Sequence, residues 1–384
     1  MESHWFEPWP VIPFGGLRLW GSGTTWADLN PSSGVYDWTH LDGWLDAIQS
    51  NDVGSVLYTI AMTPSWASSK PHDTSCRFAP GACDPPNDLN PDGTGTDQHW
   101  KDFVTAIANH AAGRIRYWEI WNEPVMPFYW TGTFAQMARM AQDARAIILS
   151  IDPKAKLTTP PNGVGGFVDK WWKGYADAGG LQYADIIAFH GGVESSCGNP
   201  PKAEDLIPMV DDLRSILASY RHGGRIWDTE ANWGSVSKNC FNDRDLQAAF
   251  LVQFYLLHRS LEVSRFYWFS YYDPDTGQLF DTNTGQLTKA GIAFEQVQEW
   301  LLGNTLSSSC SASGTIWTCG LTGPNGYQAE AIWDTAETCS DGTCQTEEYS
   351  IGTTYSQYRT LSGDTFPIKN GQVPIGAKPI LVEN

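Results

Sequence analysis

The stretch Ile115–Met126, IRYWEIWNEPVM, decides the fold. Ile115, Tyr117, Trp118, Ile120 and Trp121 are apolar, aromatic or β-branched, the composition of a strand buried on both faces. Asn122, Glu123 and Pro124 follow at once, so a carboxylate stands where the strand gives way to a loop. Such a carboxylate is costly unless it is solvated, held by an arginine, or employed in chemistry. Glu119, inside the strand, reads as a buried partner for an Arg.

Strand-like and helix-like segments alternate on both sides of this stretch. GGLRLW (15–20), VGSVLYTIAM (53–62), AKLTTPP (155–161), ADIIAFHGG (184–192), RIWDTEANW (225–233) and RFYWFSYY (265–272) read as strands. Amphipathic helices fall between them at 37–51, 97–113, 133–150, 167–178, 203–224 and 243–260, with a last one at 291–302. Repeated strand–helix units imply a parallel sheet. Seven strands are clear, and HWFEPWP at the start supplies the end of an eighth, first one. Eight close a (β/α)8 TIM barrel with its active site at the C-terminal ends of the strands. An open doubly wound sheet is disfavoured because no Gly-rich phosphate loop follows the first strand.

Beyond Gly303 the texture changes to short β-prone runs, IWTCGL, YQAEAIW, EEYSIG, YSQYRTL and KPILVEN, set among Gly, Ser and Thr. This predicts a small antiparallel β-sandwich over 303–384 after a catalytic barrel over 1–302.

Bulk properties exclude several classes of function. A net charge of −19 argues against nucleic acid and anionic membranes as partners. No apolar run approaches the roughly 18 residues of a spanning helix. MESHWFEPWP has neither the basic start nor the apolar core of a signal peptide, so any leader is absent or already removed. Aromatic residues make up 13% of the chain, with 19 Trp and 15 Tyr, an excess suited to stacking on the apolar faces of sugar rings or to large cores. The eight cysteines lie in loop-like contexts without C-x-x-C spacing. Cys76 with Cys83, Cys310 with Cys319, and Cys339 with Cys344 are local pairs, while Cys197 and Cys240 remain to join two loops. Disulfides place the protein in an oxidising, extracytoplasmic compartment. The insertion 70–97, on the active-site side of the third strand, reads as a cleft wall stiffened by Cys76–Cys83. Its aspartates at 73, 84, 88, 92 and 97 lack the spacing of a Ca²⁺ loop and read as solvated acids.

With HWFEPWP as strand one, Glu123 ends strand four and Glu230, in WDTEANW, ends strand seven. Two carboxylates at one barrel mouth equip a site for glycoside hydrolysis, one attacking the anomeric carbon and the other protonating the departing oxygen.

NEP after a strand (Asn122–Pro124), with the TE of WDTEANW three strands on, resembles clan A of the glycoside hydrolases, which are retaining (β/α)8 enzymes. RLW (18–20), WADLNPSSGVYDW (26–38), VLYTIAMTPSWAS (56–68) and YWEIWNEP resemble family 39 of these enzymes and its outlying relatives, over roughly residues 4–302. The resemblance implies Glu123 as general acid/base, Glu230 as nucleophile and Asn122 as a hydrogen-bond partner of the sugar 2-hydroxyl. It places His190, at the end of strand six, against the nucleophile, and Arg18 where it holds Glu230 ionised. Trp268 on strand eight becomes an aromatic floor under the reacting sugar, with His4, Trp66, Trp130 and Trp233 as further subsite candidates. A metal ion or organic cofactor is not expected, and a monomer is favoured. Such relatives act on xylosides, iduronides, polymers containing arabinose or galactose, and bacterial exopolysaccharides. The alternatives are a barrel that binds carbohydrate with weak turnover, and a transglycosylase.

Overall fold

The computed structural model describes residues 9–384 except 164, 167, 194–199, 234–242, 275 and 341. HWFEPWP, with His4, lies outside the described residues apart from Trp9 and Pro10, as do Cys197 and Cys240.

Seven strands form one sheet in chain order: β1 (Leu17–Leu19), β2 (Val56–Ile60), β3 (Tyr117–Ile120), β4 (Lys156–Thr158), β5 (Ile186–Phe189), β6 (Arg225–Ala231) and β7 (Arg265–Trp268). The pairs from β1 to β6 are all parallel. After β7, the Phe269 N–H donates to the Ala231 carbonyl at 2.9 Å. The fold is a (β/α)8 TIM barrel followed by a C-terminal antiparallel sheet domain; in the numbering that counts HWFEPWP as strand one, β1 is strand two. Every residue of β2 is buried, as a strand covered on both faces requires.

The chain divides into two compact units. The first comprises the described residues of 1–9, 14–191 and 209–230. In it, helix α1 (Trp26–Leu29) opens with a capping box in which Thr25 and Asp28 exchange hydrogen bonds. Helix α2 (Thr39–Ser50) buries Leu41, Trp44, Leu45 and Ile48. Helix α3 (Gln98–Ala111) buries Trp100, Phe103, Val104 and Ile107 along one stripe. A second capping box, Thr133 with Gln136, starts α4 (Phe134–Ile151). Helix α5 spans Val168–Asp177, and α6 runs from Leu206 to Ser219 behind a 3₁₀ turn over Ala203–Asp205. The helix is therefore shorter than the expected 203–224; it ends at Ser219, and Arg221, two residues on, takes a φ of +55°.

The second unit comprises the described residues of 10–13, 192–208 and 231–384. Its helix α7 (Arg244–Ser260) is capped by Asp243, which accepts from the backbone N–H of Asp245 and Leu246. Helix α8 (Lys289–Leu301) is capped by Thr288 and begins two residues before the expected 291. The C-terminal strands pair in the order 305–306, 316–322, 328–334, 380–383, 357–359, 365–367, with 311–313 also on 316–322. A separate ribbon pairs 346–350 with 372–376. Ile332, Val373, Ile375, Ile380 and Val382 fill the core between ribbon and sheet, giving the expected sandwich. Disulfides join Cys76–Cys83, Cys310–Cys319 and Cys339–Cys344, the three local pairs.

Candidate active site

Arg18, at the centre of β1, has no exposed surface and ties together the ends of three strands. Its Nε donates to Glu119 Oε1 at 2.7 Å, and its Nη2 lies 2.6 Å from the same oxygen. Nη2 also donates to Asn122 Oδ1 at 2.7 Å, and Nη1 donates to Glu230 Oε2 at 2.9 Å. Glu119 is the buried Arg partner its position implied, and Thr59 on β2 donates to the same Glu119 oxygen at 2.7 Å. One guanidinium thus serves a wholly buried carboxylate, a partly exposed one, and an amide. With its oxygen turned to Arg18, Asn122 presents its amide N–H donors on the other side.

The β3–α4 connection leaves the strand in a conformation that side chains rarely adopt. Trp121 has φ +64° and Glu123 φ +39°. Strain of this kind persists where surrounding contacts over-determine it, and it gathers at functional sites. Here the contacts are specific. The Trp121 N–H donates to the Ile60 carbonyl (2.9 Å) and its indole N–H to the Tyr129 carbonyl (2.8 Å). Glu123 donates from its backbone to the Pro161 carbonyl (3.1 Å) and accepts from Met126 (2.9 Å).

Glu123 Oε1 lies 2.8 Å from His190 Nδ1. Carboxylate oxygens of Glu123 and Glu230 and a ring nitrogen of His190 all lie within 4.8 Å of one another. The hydrogen bond of His190 therefore goes to Glu123, while Glu230 stands close by. His190 is almost wholly buried, and among the described residues its Nε2 has no hydrogen-bond partner. Burial alone pushes its pKa down. The negative charge of Glu230, then the hydrogen bond and charge of Glu123, outweigh that effect and raise it above the ordinary histidine value.

Two supporting residues escaped the sequence reading. Asn162, after β4, accepts from the Val125 N–H through Oδ1 (3.0 Å), and its carbonyl accepts from the His190 N–H (2.9 Å). It thereby fixes the loops of Glu123 and His190 to each other. Asp228 on β6 has no exposed surface and accepts from the backbone N–H of Gly191 (3.0 Å) and of Glu230 (3.2 Å). Gly191 is obligatory beside it, since a Cβ there would stand 2.1 Å from Asp228 Oδ2. The signal was present as Pro-Asn-Gly and as Asp two residues before Glu230, but nothing in spacing alone distinguishes these from ordinary strand-end polar residues.

The aromatic candidates divide. Trp66 is partly exposed, donates to the Asn30 carbonyl at 2.8 Å and meets His99 edge-on. Trp130 is 5% exposed and lies edge-on to Trp121 at 4.8 Å. Trp233 is 2% exposed against Phe250, and Trp268 has no exposed surface. The acids of the 70–97 insertion are not uniformly solvated. Asp84 and Asp97 are wholly buried. Asp84 is held by Lys70 (2.9 Å) and the Thr131 hydroxyl, which corrects the expectation of solvated loop carboxylates.

No protein-family model and no curated protein matches the sequence. Solved structures do resemble it. A family 39 glycoside hydrolase from the gut symbiont Bacteroides cellulosilyticus aligns over 96% of this chain and 75% of its own, with a TM-score of 0.67 at 18% identity. A monomeric β-xylosidase from Caulobacter crescentus aligns over 96% of this chain and 89% of its own, with a TM-score of 0.63 at 14% identity. The catalytic domain of a family 30 xylanase from Talaromyces cellulolyticus aligns over 96% and 86%, with a TM-score of 0.57 at 13% identity. The likeness is one of fold, a barrel followed by a C-terminal sheet domain.

Proposed function

We propose that the protein is a retaining glycoside hydrolase that cleaves β-type bonds of a plant or microbial oligo- or polysaccharide, with the barrel (1–302) as catalytic domain and the sandwich (303–384) as accessory domain. The observation that carries this reading is the approach of the Glu123 and Glu230 carboxylate oxygens to within 4.8 Å. Retaining enzymes hold their two carboxyl groups about 5–5.5 Å apart for direct attack, whereas inverting ones leave about 6.5–9.5 Å for a water.

In the first displacement a Glu230 oxygen attacks the anomeric carbon. Glu123 gives its proton to the glycosidic oxygen, and the C–O bond breaks to release an alcohol. In the second, Glu123, now a carboxylate, takes a proton from water as the water oxygen attacks the same carbon, and the ester bond to Glu230 breaks. Two inversions give net retention. The Arg18 guanidinium supports Glu230 as the ionised nucleophile, since an adjacent cation favours the charged form. Asn122, turned by Arg18 to present N–H donors, suits a sugar 2-hydroxyl. His190 holds the Glu123 carboxyl in orientation.

Three disulfides support an extracytoplasmic location. Among the described residues no helix is long and apolar enough to cross a membrane. The test is a panel of plant and microbial polysaccharides with product sizing, followed by NMR of the anomeric proton at early times on the best substrate. Product with the configuration of the substrate supports the reading. Early appearance of the opposite anomer, or binding without any cleavage, overturns it.

A further inference from the structure

Phe78 combines two unfavourable features. The residue is 50% exposed, although phenylalanine is ordinarily buried. Its backbone has φ +72°, a conformation in which bulky residues are outliers. The ring is nevertheless fixed, standing edge-on to Trp20 at 5.3 Å and tilted to Tyr129 at 6.4 Å. The neighbouring Arg77 guanidinium lies 6.0 Å from the Phe78 ring centre and 5.9 Å from that of Tyr129.

The segment that carries them is stapled to the active-site loops. Cys76–Cys83 clips it at both ends. The Arg77 N–H donates to the Phe128 carbonyl (2.9 Å), and the Thr131 N–H donates to the Cys83 carbonyl (2.9 Å). Buried Asp84 accepts from the Thr131 hydroxyl. Phe128 and Thr131 belong to the loop that begins with Glu123, and Trp20 stands two residues beyond Arg18. The cluster therefore sits at the C-terminal ends of the adjacent strands β1, β2 and β3, on the side that carries the carboxylates. Phe128, itself 37% exposed and edge-on to Tyr129 at 4.7 Å, extends the aromatic surface. Among the described residues no acceptor engages the Arg77 side chain, so its forked N–H donors face outward beside an apolar ring.

An exposed aromatic ring next to planar N–H donors matches a pyranose, which presents an apolar C–H face and a rim of hydroxyls. We propose that Phe78 and Arg77 form a further saccharide subsite that binds a pyranose ring of an oligosaccharide chain away from the bond being cleaved. The disulfide-clipped insertion then selects chain length. This rests on the glycosidase reading for its ligand class, but binding tests it separately from turnover.

The experiment compares wild type, Phe78→Ala and Phe78→Trp. Binding of xylohexaose, cellohexaose and mannohexaose is followed by tryptophan fluorescence, with Trp20 as the adjacent reporter. Hydrolysis of the same chains is compared with that of the 4-nitrophenyl glycoside of the matching sugar. The subsite predicts that wild type binds at least one hexaose and that Phe78→Ala weakens this binding about tenfold. It predicts an equal fall in kcat/KM for the hexaose relative to the nitrophenyl glycoside, carried by KM, with recovery in Phe78→Trp. Binding lost in Phe78→Ala without hydrolysis by any form supports the subsite and overturns the glycosidase reading. Hexaose binding unchanged by Phe78→Ala, a loss that Phe78→Trp does not recover, or no binding by wild type overturns the subsite.

Discussion

Replacing Asp97 by Asn should stabilise the protein, and more so at pH 8 than at pH 5. Asp97 precedes α3, has no exposed surface, and among the described residues no donor reaches either carboxylate oxygen. The Asp143 carboxylate, itself engaged by Arg139 at 2.8 Å, faces it. Burial first, then the charge and hydrogen bond of Asp143, with a smaller contribution from Asp88, push the Asp97 pKa from 3.8 up to about 8, against the opposing pull of Arg139. The folded state therefore keeps a proton that the unfolded chain has lost. Stability falls as pH rises between the two values, by up to about 1.4 kcal/mol per pH unit. From pH 5 to pH 8 that sets an upper limit of about 4 kcal/mol, and structural relaxation lowers the expected figure to about 2–4 kcal/mol. Asn tolerates the left-handed backbone at this position and can donate to Asp143 without ionising. No side-chain cap is lost, because Asp97 makes none to α3. Guanidinium unfolding of both proteins at pH 5 and pH 8 isolates the effect as a difference of differences, since other titrating groups cancel. A difference that does not change with pH, or a variant less stable than wild type at pH 8, would refute the reasoning.

Arg18→Met should cost about 3–5 kcal/mol because it strands Glu119 as an unpaired buried charge, and adding Glu119→Gln should recover much of that loss; denaturant unfolding of the single and double variants measures it, and equal losses in both would show that the Arg18–Glu119 pair is not what matters. Glu123→Ala should lower turnover of substrates with poor leaving groups by about a hundredfold or more, with azide restoring release of the sugar; no azide effect would count against Glu123 as acid/base. Because the folded His190 pKa is raised, the charged ring contributes stability that is fully present below the unfolded value and is lost as pH rises through the folded one. The stability gap between wild type and His190→Gln should therefore narrow from pH 5.5 to pH 8.5, and a gap that widens would remove the two carboxylates as its cause.

The barrel was legible because its strands are buried on both faces and its helices carry one apolar stripe, so each element announces its own period. The two carboxylates were legible because they end strands three apart in a known order of elements. Arg18 was harder. A buried cation in a strand reads the same whether it orders a core or a site, and only its bonds link buried Glu119 to Asn122 and Glu230 of the proposed site. Trp130, Trp233 and Trp268 illustrate the converse, since an indole near a strand end has the same sequence context facing sugar or core, and these three are buried. The 372–376 strand went unread because Pro374 argues against a central strand; in a two-stranded ribbon its missing N–H can lie on the unpaired side. The Asp97–Asp143 contact joins residues far apart in sequence, and the acid-rich composition of the 70–97 loop conceals that two of its aspartates are inside.

The proposed double displacement requires that Glu230 bonds covalently to sugar while Glu123 supplies the proton. Its most direct test is intact-mass analysis after incubation with a 2-deoxy-2-fluoro glycoside bearing a dinitrophenyl leaving group, followed by peptide mapping. The sugar is chosen from the substrate panel. One added fluoro-sugar per chain is expected, on Glu230 and absent in Glu230→Gln. Label on Glu123 or on another residue, or turnover of the parent glycoside with inversion and no label at all, would contradict it.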